Sequence, residues 1–271
     1  AMAITSAMFS MLFSGSARTG SVDFSFLAPS SSASGGATVD VGSVKSALAN
    51  AEKNEAKQLA QVAKDPQIQK DIARYVRVVK SAKTMDDVLS DPVARNVFMT
   101  ANGLKSQVDY VGMAKKVLNS DPADTRSPAA RLAGINGTWL DTVTKWPVGL
   151  AGIGVLQVSD AVTEITDNYV SEKRLDMLDQ QLPGLGSAVL FKNIAKNLED
   201  ATDILGSPLG REVITTAFNI PKQIAVQSLV AQEKAINTRM NPAKLQNDHF
   251  VDQIAQRYLI MLNGGLGGIT A

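Results

Sequence analysis

Val88-Leu-Ser-Asp-Pro-Val-Ala-Arg-Asn-Val-Phe-Met-Thr-Ala-Asn-Gly-Leu104 lays without a gap on Ile204-Leu-Gly-Ser-Pro-Leu-Gly-Arg-Glu-Val-Ile-Thr-Thr-Ala-Phe-Asn-Ile220, at an offset of 116 positions. Leu89, Pro92, Arg95, Val97, Thr100 and Ala101 recur as Leu205, Pro208, Arg211, Val213, Thr216 and Ala217. What recurs is helix punctuation. Asp91 and Ser207 are residue types whose side-chain oxygens accept from the orphan amides of a first turn. Each precedes a proline, which suits the first helical position because its missing N–H would be unpaired there anyway. Val93, Val97 and Ala101 in one copy, and Leu209, Val213 and Ala217 in the other, fall at helical spacing and are expected to be buried. Gly103 and Asn219 stand where each helix should end, the two residue types that most readily take a left-handed backbone.

The unit extends outward. Ile68, Ile72, Tyr75, Val79 and Ala82 step by four and three, the stripe of an amphipathic helix, and the same offset sets Tyr75 on Phe191 and Val78 on Ile194. Thr84 and Asp87 have the spacing of a capping box. Downstream, Ser127-Pro128-Ala129 is matched by Asn241-Pro242-Ala243, and Trp139 to Val143 by Phe250 to Ile254, with the offset drifting to 111. These patterns predict helices near 67–82, 92–102 and 105–118, superposing on 183–198, 208–218 and 222–236.

The fold class is therefore mainly α: two copies of a multi-helix unit packed together, with an irregular N-terminal extension. The segments are 1–45 (extension), 46–147 (first copy), 148–182 (Gly-rich turn and linking helix), 183–263 (second copy) and 264–271 (tail). The chain has 271 residues, 45% apolar and only 5% aromatic, so aliphatic side chains must do most of the packing. A net charge of +1 gives no electrostatic reason to expect nucleic acid or an anionic membrane. No cysteine is present, which removes disulfides and thiolate metal sites but leaves the compartment open.

Ala1 before Met2 reads as a cloning remnant. The apolar residues that follow are too few and too interrupted for a spanning helix, and no basic region precedes them as in a cleaved signal peptide. Residues 14–39 have the Ser, Gly, Ala and Thr content of a flexible linker, broken by a weak strand alternation over 22–26. Met8, Phe9, Met11, Leu12, Phe13, Phe24 and Phe26 would leave a sizeable apolar surface in water, at roughly 25 cal/mol per Å². Residues 4–27 are thus expected to pack on the protein's own body or on another subunit. Met8, Phe9, Leu12, Phe13, Phe24 and Phe26 are the candidate partner-binding residues.

No catalytic constellation emerges. His249 is the single histidine, and no spacing makes it a zinc ligand. Gly149, Gly152 and Gly154 in Pro147-Val-Gly-Leu-Ala-Gly-Ile-Gly-Val-Leu156 lack the pattern of a phosphate loop and predict a buried turn or a close backbone crossing. Residues 158–180 read as an exposed linking helix, with Ser171-Glu-Lys-Arg-Leu-Asp on its solvated face, broken at Leu182-Pro-Gly-Leu-Gly186. Catalytic, cofactor-binding and metal residues are therefore none, no cofactor is expected, and the protein reads as not an enzyme.

The segments Ile72 to Pro92, Ala101-Asn-Gly-Leu104, Lys116-Val-Leu-Asn-Ser-Asp-Pro122, Ala130-Arg-Leu132, Val213 to Pro221, Ala231 to Ile236, Phe250 and Arg257-Tyr-Leu259 resemble a bacterial helical family of unknown function commonly encoded among flagellar genes. The likeness spans roughly residues 65–262. It implies a non-enzymatic structural or assembly protein associated with the bacterial flagellum, acting through protein–protein contacts with flagellar components or itself. Export without a cleaved signal is compatible with the N-terminal composition. The residues equally allow a cytoplasmic helical module that binds a partner helix or a small apolar ligand in a groove between its halves. In neither reading does the chain span a membrane or bind nucleic acid.

Overall fold

A computed structural model describes residues 40–134 and 136–264, and among these residues every regular element is helical. The strand expected at 22–26 lies outside the described residues.

The α-helices are α1 (Val41–Lys53), α2 (Glu55–Ala63), α3 (Pro66–Ser81), α4 (Met85–Ser90), α5 (Pro92–Ala101), α6 (Val111–Leu118), α7 (Pro128–Ala133) and α8 (Thr138–Lys145). They continue with α9 (Val148–Ala151), α10 (Gly154–Gln157), α11 (Ser159–Gln181), α12 (Leu185–Ile194), α13 (Ala201–Gly206), α14 (Pro208–Ala217), α15 (Leu229–Arg239) and α16 (Asp248–Leu262). Short 3-10 turns sit at Lys105–Gln107, Ala195–Asn197, Lys222–Val226 and Pro242–Gln246.

Capping explains where these helices begin. The Thr84 hydroxyl accepts from the Asp87 amide, and the Asp87 carboxylate accepts in return from the amides of Lys83 and Thr84. In the same arrangement, Asp200 accepts from the Asp203 amide while Asp203 accepts from the amides of Glu199 and Asp200. Asp91 and Ser207 cap α5 and α14, each with proline at the first helical position. Both helices end alike. Gly103 takes φ +73° and Asn219 φ +50°, and the amides of Leu104 and Ile220 reach back to the carbonyls of Met99 and Thr215, each at 2.8 Å. The caps, prolines and left-handed residues thus agree position by position at the 116-residue offset.

The chain divides into two compact units, one of residues 56–174, the other of 40–55 with 175–264. In the first, α3 packs on α5, α4 on α6, and α8 on both α6 and α7. Ile72, Tyr75, Val79 and Ala82 of the expected stripe are buried with Val97, Phe98 and Trp139. In the second, α1 and α14 pack on α12 and α16, enclosing a core that includes Val44, Leu48, Phe191, Val213, Ala217, Ile254 and Leu259. Lys192 on α12 pairs with Glu52 on α1 and Asp252 on α16, so one ammonium ties three helices of that core. Burial alone would lower the Lys192 pKa, but the hydrogen bonds to Asp252 and Glu52 outweigh it and raise it.

Three expectations change. The helices predicted over 105–118 and 222–236 are each broken into a 3-10 turn and a later helix. In the second case the break is fixed by Ser228, whose hydroxyl accepts from the Ala231 amide and opens α15. Val93 and Leu209 are only half-buried. The linking helix exists as α11 but is not solvent-exposed: Ile165, Thr166, Tyr169, Arg174 and Leu178 are buried along it. Arg174, assigned to a solvated face, is 3% exposed and donates from Nε to Gln58 at 2.9 Å. The glycine-rich run forms α9 and α10 around a turn at Gly152, whose φ is +77°.

Candidate functional site

A groove of about 520 Å³ opens between α6 and α7, within the first unit. Its walls are held from outside. On α6, Ala114, Val117 and Leu118 are buried, while Lys115 reaches Ser90 at 3.1 Å and Asp86 at 3.7 Å. Asn119 donates to Asp86 at 2.9 Å, so the C-terminal end of α6 is fixed to α4. The backbone of Gly149 presses on that same end: a Cβ there would lie 2.3 Å from the Asn119 carbonyl oxygen. This is the close crossing expected of the glycine-rich run. Past α6, Asp121 and Asp124 accept from the amides of Ala123 and Arg126, turning the chain. Ser127, itself buried, then caps α7 ahead of Pro128.

The groove's surface is almost wholly apolar. Gly112, Met113 and Val117 line one wall and Pro128 and Leu132 the other, with Lys116 and Arg131 also bordering the groove. Both cations are exposed, and among the described residues neither forms an ion pair. A cavity of this size with few polar groups is the common form of a ligand or side-chain pocket. Two cations at apolar walls, without an ion pair among the described residues, suit an apolar segment or molecule that also carries a carboxylate.

A second apolar surface lies in the other unit. The Lys222–Val226 turn is held by the Gln232 side chain, which donates to the Gln227 carbonyl at 2.8 Å. The turn presents Val226 at 89% exposure, and the first turn of α15 adds Leu229 at 52% and Val230 at 73%.

The candidate residues Met8, Phe9, Leu12, Phe13, Phe24 and Phe26 lie outside the described residues. His249 is exposed in the first turn of α16, and among the described residues no three acidic or histidine side chains gather where a metal could sit. No described helix is long and apolar enough to cross a membrane. The sequence pattern does not mark the groove itself. Lys116, Val117, Arg131 and Leu132 all fall in segments that carry the family resemblance, which was the available signal. Nothing in their spacing shows that a nine-residue connection folds α7 back beside α6.

Comparison with known proteins agrees with this fold. The crystal structure of protein AGR_C_984 from Agrobacterium tumefaciens is similar with a TM-score of 0.65 and 21% identity, covering 86% of this chain and 97% of that one. At that identity the likeness concerns the fold alone. No curated protein matches the chain. Residues 101–251, more than half of the sequence and including both apolar surfaces, match a family described as protein of unknown function (DUF1217). The chain belongs to the DUF1217 family.

Proposed function

We propose that this protein is a non-enzymatic structural or assembly component of the bacterial flagellum that works by holding protein segments. The observation that carries the contact role is the α6–α7 groove, apolar along its walls and bordered by Lys116 and Arg131, which form no ion pair among the described residues. An amphipathic helix or extended segment with an acidic residue beside its apolar anchors fits that chemistry. The flagellar assignment rests on the resemblance of the segments between Ile72 and Leu259 to a family encoded among flagellar genes. The recurrence of caps and helix ends at an offset of 116 supports an internal duplication, which would give a scaffold two related bodies.

The test is a deletion strain complemented with wild-type protein or with Met113→Asp/Leu132→Asp. Motility should fail in the deletion and in the variant, and wild-type protein should be found in purified hook–basal bodies. Normal swimming of the deletion strain, with the protein absent from those preparations, would refute the flagellar reading. The groove's volume also favours a second reading, a cytoplasmic module taking a small apolar acid in the same place. Thermal stabilisation by medium-chain carboxylates, abolished by Arg131→Ala, would select it.

A further inference from the structure

We infer that the uncharged segment Ile4–Phe13 docks in cis on the aliphatic patch formed by Val226, Leu229 and Val230. Single exposed apolar side chains are ordinary, whereas a cluster marks a contact surface. The two most exposed large apolar side chains among the described residues, Val226 and Val230, fall within these five positions together with Leu229, and Ile224 is half-buried beside them. From Gln223 to Gln232 the sequence carries no charge.

The occupant matches in chemistry. Ile4 to Phe13 also carries no charged side chain. Ile4, Met8, Met11 and Leu12 have the i, i+4, i+7, i+8 spacing of one helical face. The α6–α7 groove is a poorer fit, because Lys116 and Arg131 call for carboxylates that this segment lacks. Charge therefore separates the two apolar surfaces: the basic groove suits an external acidic partner, the neutral patch the neutral segment.

Connectivity points the same way. Asp40 caps α1, and Val44, Leu48 and Ala51 anchor that helix in the core of the unit that carries the patch. Residues 14–39 separate the apolar segment from this anchor. A stretch of 26 residues can span at most about 90 Å. A body of about 100 residues has a radius of gyration near 13 Å, so a connection of that length is long enough to reach its surface. Tethering on this scale gives an effective concentration in the millimolar range, enough for a small patch to be occupied.

The absence of native cysteine makes a direct test clean. Full-length Met8→Cys/Val230→Cys should close an intrachain disulfide under mild oxidation on the order of tenfold faster than Met8→Cys/Met113→Cys, which samples the groove. Equal or faster closure at position 113 would overturn the choice of patch without touching the groove's role toward other partners. Disulfide-linked dimers from the 8/230 pair at low concentration would replace docking in cis by docking between copies. As an independent measurement, amides 228–232 should exchange on the order of tenfold more slowly in wild-type protein than in Phe9→Ser/Leu12→Ser. Identical exchange in the two proteins would refute the docking.

Discussion

Arg74 and Asp91 share one carboxylate between two tasks. Nε and Nη2 of Arg74 donate to Oδ2 at 2.8 and 2.5 Å, while Oδ1 accepts from the amides of Val93 and Ala94 at 3.1 and 2.9 Å. One oxygen ties α3 to the start of α5, and the other caps α5. Partial burial would raise the Asp91 pKa, but the Arg74 hydrogen bonds and charge, with those two amides, hold it below the ordinary value. Its contribution is therefore full above the ordinary carboxylate pKa and is lost as pH falls through the depressed value.

Asp91→Asn keeps a capping oxygen and loses the ion pair, and should cost under about 1 kcal/mol because Arg74 is 47% exposed. Asp91→Ala also removes the cap and should cost about 1–2 kcal/mol more. Urea unfolding at neutral pH measures both. Equal losses would mean that the cap contributes nothing.

Tyr75 is fully buried and its hydroxyl finds no hydrogen-bond partner among the described residues, with burial pushing its pKa up. The position 116 residues later is Phe191, also fully buried, with no hydroxyl to satisfy. Tyr75→Phe should be neutral or stabilise by about 1 kcal/mol, seen as a raised Tm. Tyr258→Phe should do the opposite by a similar amount, since Tyr258 Oη donates to Glu212 at 3.0 Å.

Asp167 on α11 is buried, and desolvation raises its pKa to about 6. The folded protein then holds this proton more tightly than the unfolded chain, so stability falls as pH rises from about 4 to 6 and is level above. After allowance for solvent screening, Asp167→Asn should stabilise by about 1–2 kcal/mol at pH 7, and the gain should vanish below about pH 4. Melting curves across that range check both size and direction. A gain independent of pH would assign the effect to something other than ionisation.

Gly149→Ala places a methyl group against the Asn119 carbonyl, which is backbone and cannot rotate away. It should destabilise by about 1–3 kcal/mol and displace the end of α6 that walls the groove. Gly154→Ala, where a Cβ meets nothing within 4 Å, is the control and should be nearly silent.

Local features of the fold were legible because their causes are local. Asp91-Pro92, Ser207-Pro208 and Thr84 with Asp87 are complete signals within four residues, and their caps form as those signals require. The apolar stripe from Ile68 to Ala82 likewise needs only helical periodicity. Arg174 was misread because its partner Gln58 lies on another helix far along the chain, and a charged residue among acids looks solvated until that partner is placed. The groove was hidden for the same reason. Met113 and Leu132 become neighbours only after Ser127 caps α7 and Asn119 fixes the end of α6, and neither event changes the local pattern around the lining residues.

The compact unit that holds α1 is interrupted in sequence: residues 40–55 belong to it, yet the rest begins at Leu175. On a ribosome adding 5–20 residues per second, the apolar face of Val44, Leu48 and Ala51 must wait roughly 7–29 s for α12 and longer for α16. The intervening 56–174 unit has all of its own contacts in hand first, so the order of synthesis imposes an order of folding. The first of the described helices to emerge is among the last to be enclosed. A nascent chain stalled before Leu175 would carry a finished body behind an unsheltered apolar helix, a natural ligand for a chaperone.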